Sequence, residues 1–192
     1  MRDLIVTENI TLDGVIDATE GWFSPAGDDA EADQSDLEAV LGAHMAAADA
    51  FLVGRVTFEE MHGYWPKQTD DTTGVTDYLN AVSKYVVSST LRDPDWQHTT
   101  VLRGPLHDEV QALKSTPGKD IVTTGSISLV QAVIAAGLVD EYRLFVHPVV
   151  LGHGRRLFAD ATEVHRLRLV ETRPFNSGIV LLRYRTALDN CG

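Results

Sequence analysis

Basic side chains are scarce in the first half of this chain. Positions 1–83 carry 17 Asp and Glu residues, but only Arg2, Arg55 and Lys67 on the basic side. The formal net charge of the 192 residues is −12. A nucleic-acid backbone needs a basic footprint, so nucleic acid is excluded as a partner. Cysteine is nearly absent as well. Cys191 stands alone, which excludes a disulfide framework and a cysteine metal site. No apolar run approaches a membrane span, and the N-terminus lacks the basic-then-apolar layout of a secretory leader. The expectation is no membrane and a cytoplasmic location, which makes Asn9-Ile10-Thr11 a chance glycosylation match. The phosphate loop with its lysine, H-E-x-x-H and G-x-S-x-G are all missing. Gly152-His153-Gly154 fails the last position of G-x-G-x-x-G, and the seven histidines show no metal spacing.

What is present is an ordinary globular composition, with 44% hydrophobic and 23% charged residues. The length predicts one domain over 1–186, followed by a tail at 187–192. Leu4-Ile5-Val6 reads as a first strand that turns at Thr11-Leu12-Asp13-Gly14. Residues 17–34 read as a long loop. Ser35-x-x-Glu38 forms a capping box, and Leu37, Val40, Leu41, His44, Met45 and Ala48 then fall on one helical face. Further strands are expected at Phe51–Val53, Tyr85–Val87 and Thr100–Leu102. Helical segments are expected at 57–62, at 75–83 and after Pro105. Ile121-Val122, a helix opening after Gly125-Ser126, and Tyr142–His147 form a β-α-β unit. Val164–Thr172 and Ile179–Tyr184 should close the chain as an antiparallel hairpin. Strands alternating with helices predict an α/β domain with a mostly parallel sheet and an antiparallel edge.

Three strand ends share one layout, a short apolar strand followed by small or polar residues. They are Gly54-Arg55-Val56-Thr57, Ser88-Ser89-Thr90 and Thr124-Gly125-Ser126. Ligands of open parallel sheets bind outside the carboxyl ends of the strands. Glycines there let backbone N–H groups approach a phosphate, and a helix N-terminus favours an anion. Taken singly, each is ordinary turn chemistry; together they point to a dinucleotide. Arg55 reads either as a surface ion pair or as a guanidinium anchor for phosphate. His147 and His153 bracket a loop and read as structural or pocket-facing.

Gly54-Arg55-Val56-Thr57-Phe58-Glu59, Val86-Val87-Ser88-Ser89 and Val122-Thr123-Thr124-Gly125-Ser126 resemble, in order, the dihydrofolate reductases. Thr11–Gly14, Leu138–Glu141 and Pro148–Gly154 with Leu157-Phe158 resemble more closely the reductase domain of the bifunctional riboflavin-biosynthesis deaminase/reductase. The resemblance implies a three-layer dihydrofolate-reductase-like α/β/α fold, NADPH as hydride donor, a small heterocyclic substrate and a homodimer. It places Gly54, Arg55 and Thr57 at the first nucleotide-contacting turn. Ser88, Ser89, Thr90 and Arg92 fall near the adenosine ribose and its 2′-phosphate, and Gly125, Ser126 and Ile127 at the pyrophosphate. Asp13, Trp22, His153 and Arg155 are the implied substrate contacts, although Arg155-Arg156 also reads as a solvated basic pair.

The sequence departs from the dihydrofolate reductases at two points. Thr124 stands where they carry the first of two adjacent glycines. Their early-helix acid corresponds to Glu38, with Asp36 close by, and Glu38 already has a role in the capping box. These two are the candidate catalytic residues. The reading is an NADPH-dependent reductase of the riboflavin type acting on a C=N or C=O carbon. The alternatives are a true dihydrofolate reductase and a nucleotide-binding protein without catalysis.

Overall fold

The computed structural model describes residues 1–18, 21–23, 34–158 and 166–187. Its centre is an eight-stranded sheet. The strands are β1 (Leu4–Thr11), β2 (Ala48–Gly54), β3 (Ser83–Val87), β4 (Thr99–Leu102), β5 (Asp120–Thr123), β6 (Glu141–His147), β7 (Leu167–Pro174) and β8 (Val180–Thr186). Their spatial order is β4-β3-β2-β5-β1-β6-β8-β7. The pairings from β4 to β6 are all parallel, and β8 and β7 add antiparallel to β6. The helices are α1 (Ser35–Ala46), α2 (Arg55–Tyr64), α3 (Val75–Ala81), α4 (Leu106–Ser115) and α5 (Ile127–Ala135). The predicted fold is therefore present, and each helix links or flanks parallel strands as short crossovers require.

The core lies on both sheet faces. Leu4, Val6 and Ile10 of β1 meet Val110 and Leu113 of α4 and Leu129, Val130 and Val133 of α5. On the other face, Phe145 and Leu181 meet Leu37 and Val40 of α1. A third cluster joins Phe51, Val53 and Val86 to Phe58, Leu79 and Trp96. Within it Lys84 is fully buried. Its ammonium donates to the carbonyls of Leu79 and Val82 at 2.6 and 2.9 Å and lies 4.7 Å from the centre of the Trp96 ring.

Several boundaries differ from the sequence reading. α1 begins at Ser35 itself, with Gln34 at the N-cap and no side-chain capping bond, so the capping box does not form. The Glu38 amide donates instead to the Gln34 carbonyl at 2.9 Å. α1 stops at Ala46 and Ala48 opens β2, so Ala48 belongs to the sheet and not to the helical stripe. His44 packs against the Phe145 ring, at 6.2 Å between centroids. Burial, followed by the nearby Arg143 charge, lowers its pKa to about 4. Most of the expected 17–34 loop, Val164 and His165 of the expected hairpin strand, and positions 188–192 of the tail lie outside the described residues. No helix among the described residues is long and apolar enough to cross a membrane.

Candidate functional site

β3, β2 and β5 are consecutive and parallel. Their carboxyl ends, Ser88, Gly54 and Thr124, therefore lie along one edge of the sheet. Two helices open directly from this edge. α2 has Gly54 as N-cap and α5 has Ser126, and neither has a side-chain capping bond. The first N–H groups of a helix have no intrahelical acceptor. Two sets of uncapped donors, each at the positive end of a helix dipole, thus stand side by side.

Side-chain hydroxyls lock the two turns together. The Gly54 amide donates to Ser126 Oγ at 2.9 Å, and the Ser126 amide donates to Thr57 Oγ1 at 3.1 Å. Each hydroxyl accepts in these bonds and keeps its own hydrogen for donation outward. Gly125 (φ +60°) and Ser126 (φ +45°) are consecutive left-handed residues. The second position of the special turn is therefore Ser126, after the glycine, and not Thr124 before it. A Cβ on Gly125 would meet Thr57 Cγ2 at 3.3 Å, and its φ disfavours any side chain. Ser126 carries the strain of its left-handed backbone in return for a hydroxyl at the junction.

The donor of Gly125 is engaged from beneath. Its amide donates to Glu8 Oε2 at 3.2 Å. Glu8 is 3% exposed, its Oε1 is buried without a partner, and burial holds its pKa well above the carboxylate range. The sequence reading missed Glu8, although a signal existed. Alternation places Glu8 on the same strand face as Leu4, Val6 and Ile10, so it points into the core.

Around this junction the other expected nucleotide residues are more peripheral. Arg55 pairs with Glu59 at 2.7 Å, and its side chain is 41% exposed. The surface ion pair is thus formed, and the guanidinium still stands at the first turn of α2. Ser88 Oγ accepts from the amides of Thr90 and Leu91 at 3.1 and 2.9 Å, so it organises its own turn. Ser89, Thr90 and Arg92 are exposed. Arg103, also missed, ties this loop down by donating to the Leu91 carbonyl at 2.5 Å.

The expected substrate wall is a clasp of two segments. Leu12 N–H donates to Val149 O, Ile16 N–H to Arg155 O and Leu157 N–H to Gly14 O, at 2.9–3.0 Å. Asp13 is the pin. It accepts from the Thr11 hydroxyl at 2.7 Å and from the amides of Gly152 and Leu151 at 2.8 and 3.3 Å. The Thr11 bond first, then the Gly152 amide, lowers its pKa to about 2. Arg155 pairs with Asp17 at 2.8 Å, and exposed His153 bonds the Leu151 carbonyl at 2.8 Å. Trp22 donates to the Asp17 carbonyl at 2.7 Å. Its ring stands edge-on to His147 at 5.3 Å, and His147 in turn bonds Asn9 at 2.9 Å. Asp13, Arg155 and Trp22 therefore converge on one bonded unit at the carboxyl ends of β1 and β6, beside the turn after β5.

The α1 acids differ from each other. Asp36 Oδ2 accepts from the Asn176 amide in the β7–β8 turn at 3.0 Å, and Glu38 is exposed. That turn adjoins the carboxyl end of β6, where Val180 pairs with Val146 and a Cβ on Gly178 would meet Pro148 at 3.8 Å, and the other Asp36 oxygen is buried without a partner among the described residues. A hollow of about 280 Å³ lined by Ala48, Asp49, Tyr78 and Ser83 opens at the opposite edge of the sheet. Asp49 there is already engaged by Arg2 and by the Lys119 amide. Among the described residues no group of three His, Cys, Asp or Glu is placed to hold a metal.

Comparison with known proteins agrees with this architecture. The uncharacterized protein YyaP of Bacillus subtilis (strain 168) is 36% identical over 187 residues, covering 95% of this chain and 94% of that protein. A candidate riboflavin biosynthesis protein from Shewanella sp. PV-4 superposes with a TM-score of 0.72 at 18% identity, covering 97% of this chain and 99% of that one. A pyrimidine reductase-like protein from Corynebacterium diphtheriae gives 0.69 at 18% identity, with 98% and 93% covered. These two solved structures carry the same fold. The model of the RibD C-terminal domain matches residues 2–181. A match over nearly the whole sequence, on the sheet and paired turns described above, means that this chain belongs to the RibD C-terminal domain family.

Proposed function

We propose that the protein is an NADPH-dependent reductase acting on a small pyrimidine- or pterin-like heterocycle. The observation that carries the proposal is the junction of two uncapped helix N-termini, α2 and α5, bonded through Gly54 and Ser126. Helix-start donors without intrahelical acceptors favour an anion, and a pyrophosphate supplies several acceptors at once. The residues present fit that group. Gly54 and Gly125 bring the backbone close, the hydroxyls of Thr57 and Ser126 face the same junction, and Ile127 opens α5 behind them. Arg55 is near enough in sequence to exchange its exposed Glu59 partner for a phosphate, since such a surface pair contributes little. Ser88, Ser89, Thr90 and Arg92, on the next strand end, suit the ribose and 2′-phosphate.

When bound, NADPH supplies the hydride for a C=N or C=O carbon. The chain's contribution is position and exclusion of water. The clasp pinned by Asp13 and Arg155 holds the wall beside β1 and β6. Trp22 and His147 form an aromatic edge against which a flat heterocycle can lie, with His153 at the rim. Asp36, bonded to the β7–β8 turn beside the carboxyl end of β6, is on the side of the clasp and is the candidate proton donor, while Glu38 is exposed; a true dihydrofolate reductase is the alternative, which turnover of dihydrofolate tests. The likeness to a riboflavin biosynthesis protein and a pyrimidine reductase-like protein favours the riboflavin-type substrate class. A homodimer belongs to the same proposal. The edge strand β7 exposes Leu169 and Val170, an apolar edge that a second copy would cover.

Calorimetric titration with NADPH and NADH tests the cofactor. Micromolar NADPH binding that weakens in Arg55→Ala supports the reading, and no heat with either nucleotide contradicts it. Light scattering of the purified protein reads the assembly.

A further inference from the structure

Glu8 occupies the position on β1 from which a side chain can reach the Gly125–Ser126 turn from inside the core. One carboxyl oxygen accepts the Gly125 amide at 3.2 Å, and the other is buried with nothing to bond. An ionised carboxylate in that setting would leave half of its acceptor capacity unsatisfied in an apolar environment. Among the described residues no opposite charge is bonded to it, and the buried cation of α4, Lys114, is held by the Leu138 carbonyl and Asp140 at the far end of β1. α5 contains no ionisable residue. β5 turns Ile121 and Thr123 to this face, and the Thr123 hydroxyl is also buried without a partner among the described residues. β6 turns Tyr142, Leu144 and Val146 to this face, with Arg143 and Glu141 on the other. α2 offers Arg55 and Glu59, already paired with each other at 2.7 Å, and Arg155 of the clasp is paired with Asp17. Arg156 in the same segment is exposed.

We infer that Glu8 is a neutral carboxylic acid that sets the geometry of the Gly125–Ser126 turn and couples anion binding at the two helix N-termini to the retention of its proton. The inference rests on the dinucleotide reading of that junction. A protonated Glu8 leaves the junction's positive potential intact. An ionised Glu8 places a negative charge behind the Gly125 amide, opposes an incoming pyrophosphate and draws that amide inward. By linkage, a bound anion strengthens the hold on the proton to the same degree that the proton strengthens binding. Glu8 is thus a positioning residue for the phosphate site, and its burial sets the pH range in which the site works.

The test compares wild type with Glu8→Gln, which keeps the neutral shape, and Glu8→Ala, which removes it. Carbon-13 NMR of the glutamate carboxyl groups should show one resonance, absent from E8Q, that titrates well above the others. NADPH affinity followed by calorimetry should fall as pH rises through that titration, approaching about tenfold per pH unit for one coupled proton. E8Q should lack this component, and the difference between the two proteins cancels titration of the nucleotide's own phosphates. E8A, if folded by its thermal melt, should bind more weakly than E8Q at every pH. Equal pH slopes in wild type and E8Q overturn the coupling. A Glu8 carboxyl that titrates with the ordinary glutamates overturns the inference even if NADPH binds well. Failure of wild type to bind NADPH at any pH overturns the coupling together with the dinucleotide reading, while the NMR titration still decides the state of Glu8.

Discussion

Gly54 and Ser126 lie 72 positions apart in sequence, yet the amide of one donates to the hydroxyl of the other at 2.9 Å. Each residue is the N-cap of a helix that leaves a different parallel strand. The bond therefore fixes the separation of two helix dipoles, and through them the shape of the edge where an anion can sit.

Ser126 pays for this position with a left-handed backbone. Removing the hydroxyl while keeping a side chain leaves the strain and loses the bond. Ser126→Ala should lower unfolding stability by about 1 kcal/mol, the net worth of one hydrogen bond. Ser126→Gly loses the same bond but relieves left-handed strain of about 1 kcal/mol, so it should be close to wild type in urea denaturation. Both should bind NADPH more weakly. Wild-type affinity in both would remove the hydroxyl from the site.

Lys84 gives a second prediction, about stability alone. Its stem fills the core and its ammonium closes the end of α3. Lys84→Ala should cost about 2–5 kcal/mol, as for other long buried side chains cut to alanine. Burial lowers its pKa from 10.5 to about 8. Between those two values the unfolded chain holds the proton more firmly than the folded one, so this group's contribution makes stability rise with pH across that window. Wild type measured against Lys84→Met should show that rise, and parallel profiles would contradict it.

Asp13 acts at the other end of the pH scale. Its folded-state pKa of about 2 lies below the ordinary 3.8. Its contribution is present above the ordinary value and is lost as pH falls through about 2. Asp13→Asn should flatten that acid limb and raise hydrogen exchange at the amides of Leu151 and Gly152, which the carboxylate accepts. Unchanged exchange there would mean that the backbone bonds of the clasp suffice without it.

The sheet was legible because strand ends announce themselves chemically. Gly54, Ser88 and Gly125 follow short apolar runs, and their adjacency follows from parallel packing of β3, β2 and β5. The polar residues buried by alternation were harder to read. Glu8 shares a face with Leu4, Val6 and Ile10, and Lys84 shares one with Val86, but a charged letter in a short strand resembles a solvent position until its neighbours are known. The Ser35 capping box failed for a local reason. The helix gains one residue at its start, so Ser35 enters the first turn and Gln34 takes the cap. In sequence Asp13 and Arg155 read as ligand contacts, and tertiary structure shows both already bonded within the clasp. Spacing along the chain carries no information about such partners.

The central claim is that the N-termini of α2 and α5 form one phosphate-binding junction. Amide NMR of the isotopically labelled protein, titrated with NADPH, tests it most directly. The largest shifts should cluster at residues 54–57 and 125–128 together, saturating with a single affinity. Shifts confined to one of the two turns, or centred on the opposite edge near Asp49 and Tyr78, would contradict it.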